Sequence, residues 1–79
     1  MYGADYFGLS TRQRISLQQA QEIALGYVPG QVIHANMDLD NGVHKYEIFI
    51  LTPQNLIFEV EVAARTGQVL KIEQENDFD

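Results

Sequence analysis

The 79-residue sequence contains no cysteine and no tryptophan, only two prolines, and only five lysine and arginine residues. Without cysteine the chain can form no disulfide, no thiolate nucleophile and no cysteine-ligated zinc site. Eleven acidic residues outnumber the basic ones, and the resulting net charge of −6 repels phosphate backbones and anionic lipid headgroups. We therefore expect no nucleic acid partner.

Long hydrophobic runs are also missing. No apolar run approaches the roughly 18 residues that a membrane span requires, and no basic segment followed by an apolar run marks a signal peptide. We therefore expect no direct membrane insertion of this segment. Hydrophobic residues make up 46% of the chain and charged residues 20%, which is typical of a globular protein. At this length we expect one small domain, with a single sheet and a helix.

The sequence pattern divides the chain into three segments. Residues 1–14 show no sustained periodicity and are expected to form a flexible N-terminal arm, which either frays or packs on the body or on a partner. Residues 15–75 carry regular apolar patterns and form the expected domain, and residues 76–79 are an acidic C-terminal tail. The arm carries four large apolar side chains: Tyr2, Tyr6, Phe7 and Leu9.

A helix is predicted to begin after Ser16, because Ser16 and Gln19 have the spacing of a capping box. Pro29-Gly30 is expected to end it. The apolar residues between these limits recur at helical spacing and form one stripe, which consists of Leu17, Ala20, Ile23, Ala24 and Tyr27.

From Gln31 onward the apolar residues alternate with period two, which indicates strands. Asn41-Gly42 predicts a two-residue hairpin turn, while Pro53-Gln54-Asn55 and Arg65-Thr66-Gly67 suit three-residue turns. The predicted fold is therefore α+β, with one N-terminal helix packed on a four-stranded antiparallel β-meander.

The turns fix an expected register between neighbouring strands. In the first hairpin Ile33 should lie opposite Ile50, and across the second turn Leu51 should lie opposite Ile57. In the last hairpin Ala64 should pair with Gln68, and Glu61 should face Lys71. Leu70 and Ile72 are then expected on the core face, together with Val60 and Val62.

The opposite face of the predicted sheet is mixed in character. Its apolar residues are expected to form a partner-contact surface, although scattered exposed hydrophobic residues, or a site covered by the N-terminal arm, would give the same pattern. The predicted contact residues are Val32, Phe49, Leu51, Ile57 and Val69. The two edge strands offer a second mode of contact, because an extended peptide could pair with either edge.

Reactive chemistry is sparse. His34 and His44 are predicted on opposite faces of the sheet, so they cannot share a metal or a proton. Glu59 and Glu61 lie on one strand face, but we expect that face to be open and solvated, which does not suit a carboxylate pair that acts in catalysis. We therefore predict no catalytic residue, no metal site and no cofactor.

Four spaced motifs together resemble the PepSY domain. They are Ile15-Ser16-Leu17-Gln18-Gln19-Ala20, Val28-Pro29-Gly30-Gln31-Val32, Lys45-Tyr46-Glu47-Ile48 and Thr66-Gly67-Gln68-Val69-Leu70. The resemblance covers residues 15 to about 74. One position departs from the family pattern, since Ala63 stands where the family usually has aspartate.

The resemblance implies an extracytoplasmic bacterial domain, found in the propeptides of thermolysin-like metallopeptidases and in membrane-associated or secreted proteins. It also implies a non-enzymatic protein-interaction module that regulates or inhibits a peptidase, with no inhibitory residues to transfer. Two alternatives remain open: homo-oligomerisation through the same surface, and a structural module of a larger secreted or membrane-attached protein with no peptidase target.

Overall fold

The computed structural model describes residues 14–76. One helix, α1 (Leu17–Tyr27), precedes four strands: β1 (Gln31–Asp40), β2 (Val43–Leu51), β3 (Ile57–Ala63) and β4 (Val69–Glu75). The strands form one antiparallel sheet in the order β1-β2-β3-β4. The predicted α+β fold is confirmed. The N-terminal arm, apart from Arg14, and residues 77–79 of the acidic tail lie outside the described residues.

Helix α1 begins as predicted. The Gln19 backbone N–H donates to Ser16 Oγ at 3.0 Å, and the Ser16 backbone N–H donates to Gln19 Oε1 at 2.7 Å. Both bonds satisfy amide groups that the first turn of a helix leaves without partners. The centre of the predicted apolar stripe is buried, since Ala20 and Ala24 are 0% exposed, whereas the terminal Tyr27 is 62% exposed.

The first two turns follow the predicted chemistry. Asn41 (φ 54°) and Gly42 (φ 78°) both adopt the left-handed conformation that a two-residue hairpin turn requires. Asn55 (φ 68°) does the same at the end of the next turn, which closes with a hydrogen bond from the Thr52 N–H to the Leu56 carbonyl at 2.8 Å. The predicted pairing of Leu51 with Ile57 follows from this turn and is confirmed.

A β-bulge at Ile33 interrupts the first hairpin. His34 lies opposite Phe49, but Val32 and not Ile33 lies opposite Ile50. The predicted pairing of Ile33 with Ile50 is therefore wrong, and so is the predicted outer position of Val32. An extra residue in one strand shifts the faces on one side of it, so Val32 packs against the core while Ile33 is 40% exposed.

A second bulge lies in β4 at Leu70. Glu61 faces Lys71 as predicted, but Val62 lies opposite Val69. Val69 therefore packs against the core, not on the outer face as predicted, and Leu70 is 46% exposed. The bulge compensates for a turn that is one residue longer than expected.

The expected pairing of Ala64 with Gln68 does not form, because Ala64 serves another part of the fold. Its N–H donates to the His44 carbonyl at 3.0 Å, and its carbonyl accepts from the Ile15 N–H at 2.8 Å. Gln68 instead accepts from the Ala63 N–H at 2.8 Å. Ala64 thus joins the entry of the helix to the centre of the sheet and is 0% exposed.

The core lies between α1 and the sheet face that the helix covers, here called the helix side. Its largest fully buried side chains, each 0% exposed, are Ile48, Ile50, Val60 and Val62. The helix packs mainly on β1, β2 and β3, so Ile72 on the helix side of β4 is left 45% exposed. The opposite face, which carries the candidate site, is called the outer face.

Candidate partner-binding face

Three of the five predicted contact residues lie together on the outer face. Leu51 of β2 is directly opposite Ile57 of β3, and Phe49 is two residues along the same strand from Leu51. All three side chains are half-buried. We call Phe49, Leu51 and Ile57 the outer-face patch. Val32 and Val69 are separated from it, because the two bulges turn them to the helix side.

An exposed histidine extends this patch towards the sheet edge. His34 lies opposite Phe49 across the β1–β2 pair, and their ring centroids are 5.7 Å apart. His44 pairs with Leu39 on the helix side, so the prediction that the two histidines occupy opposite faces is confirmed. The outer-face patch is thus bounded by an imidazole on one side and by Glu59, which pairs with Phe49, on the other.

Four charged residues form a network beside the patch. Lys45 Nζ contacts Glu61 Oε1 at 3.0 Å, and Lys71 Nζ lies 3.5 Å from Glu61 Oε2 and 3.6 Å from Glu59 Oε1. We call Lys45, Glu59, Glu61 and Lys71 the charge network. Each carboxylate therefore has a cationic partner, which reduces the electrostatic cost of placing two like charges on one strand.

The charge network is less solvated than the sequence suggested. Glu59 is only 8% exposed and Glu61 only 7%, so the expectation of an open, solvated face is wrong at these positions. The reason is their place on β3, an inner strand whose neighbours on both sides carry long side chains. The aliphatic stems of lysine cover such positions while the ammonium group remains near water.

The two carboxyl groups have opposite pKa shifts. Burial raises the pKa of Glu59 above its usual range, against the attraction of Lys71. Burial also opposes ionisation of Glu61, but the hydrogen bond from Lys45 and the charges of Lys45 and Lys71 outweigh it and lower the pKa of that carboxyl. Hydrogen bonding to Glu61 in turn raises the pKa of Lys45. Glu61 is thus the carboxylate that the fold holds in its ionised form.

Paired carboxyl groups with divergent pKa values occur in acid–base catalysis, so their surroundings matter here. Two concavities that described residues line lie away from the Glu59–Glu61 pair. One of about 230 Å³ adjoins Ile57 and Glu75, and one of about 370 Å³ lies between the turns at Gly42 and Thr66. The charge network therefore does not line either concavity.

The same carboxylates are the residues that could hold a metal ion. Oxygen atoms of Glu47, Glu59 and Glu61 lie within 4.8 Å of one another, as do those of Glu59, Glu73 and Glu75. Hard divalent cations prefer such oxygen donors. In this chain, however, the ammonium groups of Lys45 and Lys71 already contact Glu59, Glu61 and Glu73 at 3.0–3.6 Å.

Two features of this face were missed at the sequence level, although each has a sequence signal. The bulges fall at Val32-Ile33 and Val69-Leu70, where two adjacent apolar residues break the alternation of a strand. The contact of Lys45 with Glu61 follows from the pairing of Lys45 with Ala63 and of Glu47 with Glu61, because this register makes Lys45 and Glu61 diagonal neighbours on one face.

Comparison with known proteins decides the family. The sequence profile described as "Peptidase propeptide and YPEB domain", PepSY, matches residues 14–73. This chain belongs to the PepSY family. The match spans α1 and nearly all of the sheet, so the resemblance inferred from four short motifs is confirmed.

Two similar proteins place this PepSY chain among longer relatives. It is 37% identical over 59 residues to the uncharacterized protein YkoJ of Bacillus subtilis strain 168, covering 75% of this chain and 35% of YkoJ. It is 34% identical to a protein of Clostridium difficile 630 whose crystal structure is described as that of a "putative lipoprotein". That structure superposes with a TM-score of 0.75 and covers 85% of this chain and 43% of its own. The chain therefore spans less than half the length of either protein.

The structure also shows what an aspartate at position 63, which the family resemblance leads us to expect, would contact. Ala63 closes the last turn through its backbone, since its carbonyl accepts from the Gly67 N–H at 2.9 Å. Its side chain lies on the outer face opposite Lys45. An aspartate at this position would therefore face Lys45 across the strands, where Glu61 now supplies the carboxylate.

Within residues 14–76, no helix combines the length and the hydropathy needed to cross a bilayer.

Proposed function

We propose that this chain is a non-enzymatic protein-binding module that acts outside the cytoplasm and contacts its partner through the outer-face patch. The observation that carries the proposal is the grouping of Phe49, Leu51 and Ile57 on a face that no helix of the described residues covers. Apolar side chains that remain partly exposed on a small acidic domain are a common sign of a contact surface.

The surroundings of the patch suit a specific and reversible contact. Binding would remove the remaining exposed area of three large apolar side chains from water, which supplies affinity. The charge network lies directly beside the patch and is already paired within the domain. A fixed charged rim of this kind selects among partners more than it adds affinity.

A peptidase is the partner class that the family supports best. The family description names peptidase propeptides, and propeptides act by contacting the enzyme that they accompany. The location outside the cytoplasm is supported by the Clostridium difficile relative, which is described as a "putative lipoprotein". The absence of a catalytic role is supported by the engagement of Glu59 and Glu61 with lysines.

Inhibition of purified thermolysin-type metallopeptidases tests the proposal. The chain is added at rising concentration, and hydrolysis of a peptide substrate is measured, with mass spectrometry used to confirm that the chain stays intact. We expect saturable inhibition, and we expect Phe49→Ser/Leu51→Ser to weaken it by more than tenfold, since central apolar residues dominate the affinity of protein contacts.

Leu39→Ser/Tyr27→Ser is the matched control, because it removes two large exposed side chains that lie away from the outer face. It should leave inhibition unchanged. Equal losses in both variants would contradict the assignment of the contact surface. A lack of inhibition across a panel of such peptidases would contradict the peptidase as the partner.

A further inference from the structure

Strand β4 is an edge of the sheet within the described residues, and its sequence is self-complementary. It pairs with β3 on one side only, so backbone N–H and C=O groups along its other side are free to pair with another strand. Two of its apolar residues are strongly exposed, Leu70 at 46% and Ile72 at 45%. Pairing of that edge with a strand of suitable sequence would give these backbone groups hydrogen-bond partners and bury the exposed apolar side chains.

The charges on β4 specify which strand fits. Lys71 and Glu73 lie on the outer face and flank Ile72, which lies on the helix side. When a strand pairs antiparallel with a second copy about a two-fold axis, opposed residue numbers have a constant even sum. An axis at Ile72 places Ile72 opposite Ile72 of the second copy and Lys71 opposite Glu73 of the second copy.

We propose that two copies of this chain associate through their β4 edges, in antiparallel register about Ile72, to form one continuous eight-stranded sheet. Each Lys71 already contacts Glu73 of its own copy at 3.0 Å, so the contact joins two such pairs into one alternating group of four charges on the outer face. It also brings one Ile–Ile pair together on the helix side. The central triplet, residues 71–73, lies beyond the bulge at Leu70, so the bulge does not interrupt it. This inference does not depend on the peptidase proposal, because the outer-face patch is not part of the contact.

Neighbouring registers of β4 are less favourable. An axis at Lys71 would oppose two lysines, and an axis at Glu73 would oppose two glutamates, and like charges directly opposite each other destabilise a sheet. Only the axis at Ile72 places opposite charges across from each other and also pairs an apolar residue with an apolar residue. This register also closes the assembly at two copies, because a two-fold contact uses the same edge of both.

The other edge strand lacks this complementarity. On β1 the acidic residues are Asp38 and Asp40, and the strand carries no lysine or arginine. A pair of β1 strands therefore offers no lysine–carboxylate pair of the kind that residues 71 and 73 provide on β4. The second copy is thus expected on β4 and not on β1.

Sedimentation equilibrium of the full chain tests the register with two charge variants. Glu73→Lys and Glu75→Lys each change the net charge from −6 to −4, because a carboxylate is replaced by an ammonium group. Lower net charge alone would strengthen association in both. In the proposed register only Glu73→Lys places a lysine opposite Lys71 of the second copy, so we expect it to weaken dimerisation about tenfold, whereas Glu75→Lys should not weaken it.

Single cysteines give an independent check, because the chain contains none. Ile72→Cys places two cysteines opposite each other on the axis, within the Cα separation that a disulfide spans, and mild oxidation should give a covalent dimer. Gln74→Cys, two residues along the same strand, lies opposite Leu70 of the second copy and should cross-link far less.

Three results would overturn the inference. These are a monomeric mass at every concentration up to the solubility limit, equal cross-linking of the two cysteine variants, and loss of dimer in Phe49→Ser/Leu51→Ser but not in Glu73→Lys. The last result would place the contact on the outer-face patch. Urea unfolding of each variant separates these outcomes from loss of the fold.

Discussion

Glu61 is held between two lysines on a sheet face that water reaches poorly. Its carboxylate accepts from Lys45 at 3.0 Å and lies 3.5 Å from Lys71, while only 7% of the residue is exposed. Glu59, two residues earlier on the same face, has a single lysine contact at 3.6 Å. This difference in partners explains why the two carboxyl groups shift in opposite directions.

Replacement of the two glutamates should therefore have unequal effects. We expect Glu61→Gln to lower the free energy of unfolding at pH 7 by about 1.5–3 kcal/mol, the usual contribution of a hydrogen bond to a charged group. Glu59→Gln should leave stability unchanged or raise it, because burial makes the ionised form of Glu59 unfavourable. Urea unfolding of both variants measures the difference. A larger loss for Glu59→Gln would contradict the described network.

The same two shifts predict how stability changes with pH. The pKa of Glu61 is lower in the folded chain, so its contribution is present above the unfolded pKa of about 4.3 and is lost as pH falls through the folded value. The pKa of Glu59 is raised, so its contribution has the opposite pH dependence: it stabilises the fold below the unfolded pKa and is lost as pH rises through the folded value. Unfolding followed from pH 7 to pH 3 should therefore show the stability difference between the wild-type chain and Glu61→Gln closing below about pH 4. A difference that stays constant would contradict the lowered pKa.

Substitution of Ala63 by aspartate should stabilise the same face of the sheet. Its side chain lies opposite Lys45, so Ala63→Asp would introduce a cross-strand ion pair at the position where the family resemblance implies aspartate. We expect the free energy of unfolding to rise by about 0.2–1 kcal/mol. Ala63→Asn is the control, since it has the same shape without the charge. A gain that is equal in both variants would show that the turn, and not Lys45, benefits from the aspartate.

At the scale of the elements, local signals predicted the helix and most turns, and packing decided the rest. The Ser16 cap and the Asn41-Gly42 turn follow from short-range chemistry, and both formed as expected. The faces of the sheet on which Val32 and Val69 lie were predicted wrongly, because a strictly alternating pattern does not allow for a bulge. Of the candidate site, the patch around Phe49 was therefore predicted, but not the departure of these two valines from it.

The bulge in β4 predicts that truncation of the smaller Val69 destabilises the chain more than truncation of the larger Leu70. Val69 packs against the core, whereas the larger Leu70 is 46% exposed. Val69→Ala should therefore lower stability by about 1–2 kcal/mol, and Leu70→Ala by much less, since only buried methyl groups contribute fully. Thermal or urea unfolding measures both. A greater loss of stability for Leu70→Ala than for Val69→Ala would indicate an uninterrupted register and contradict the bulge.

At the scale of the whole molecule, one sheet presents three distinct surfaces. The helix side of β1–β3 forms the core, the outer face carries the patch and the charge network, and the β4 edge is free to pair. The relatives are more than twice as long as the segment that they share with this chain. After residues 14–76 fold, the outer face and the sheet edges are left for contacts. Burial of Glu59 and Glu61 could not be predicted from sequence, because it depends on side chains from both neighbouring strands.

The most direct test of the proposed function is to map the contact residue by residue. Amide resonances of the ¹⁵N-labelled chain are followed during titration with a catalytically inactive thermolysin-type metallopeptidase. The account predicts that line broadening and shifts centre on Phe49, Leu51 and Ile57, with little change in Leu17–Tyr27. Perturbations confined to the helix, or no perturbation at saturating peptidase, would contradict it.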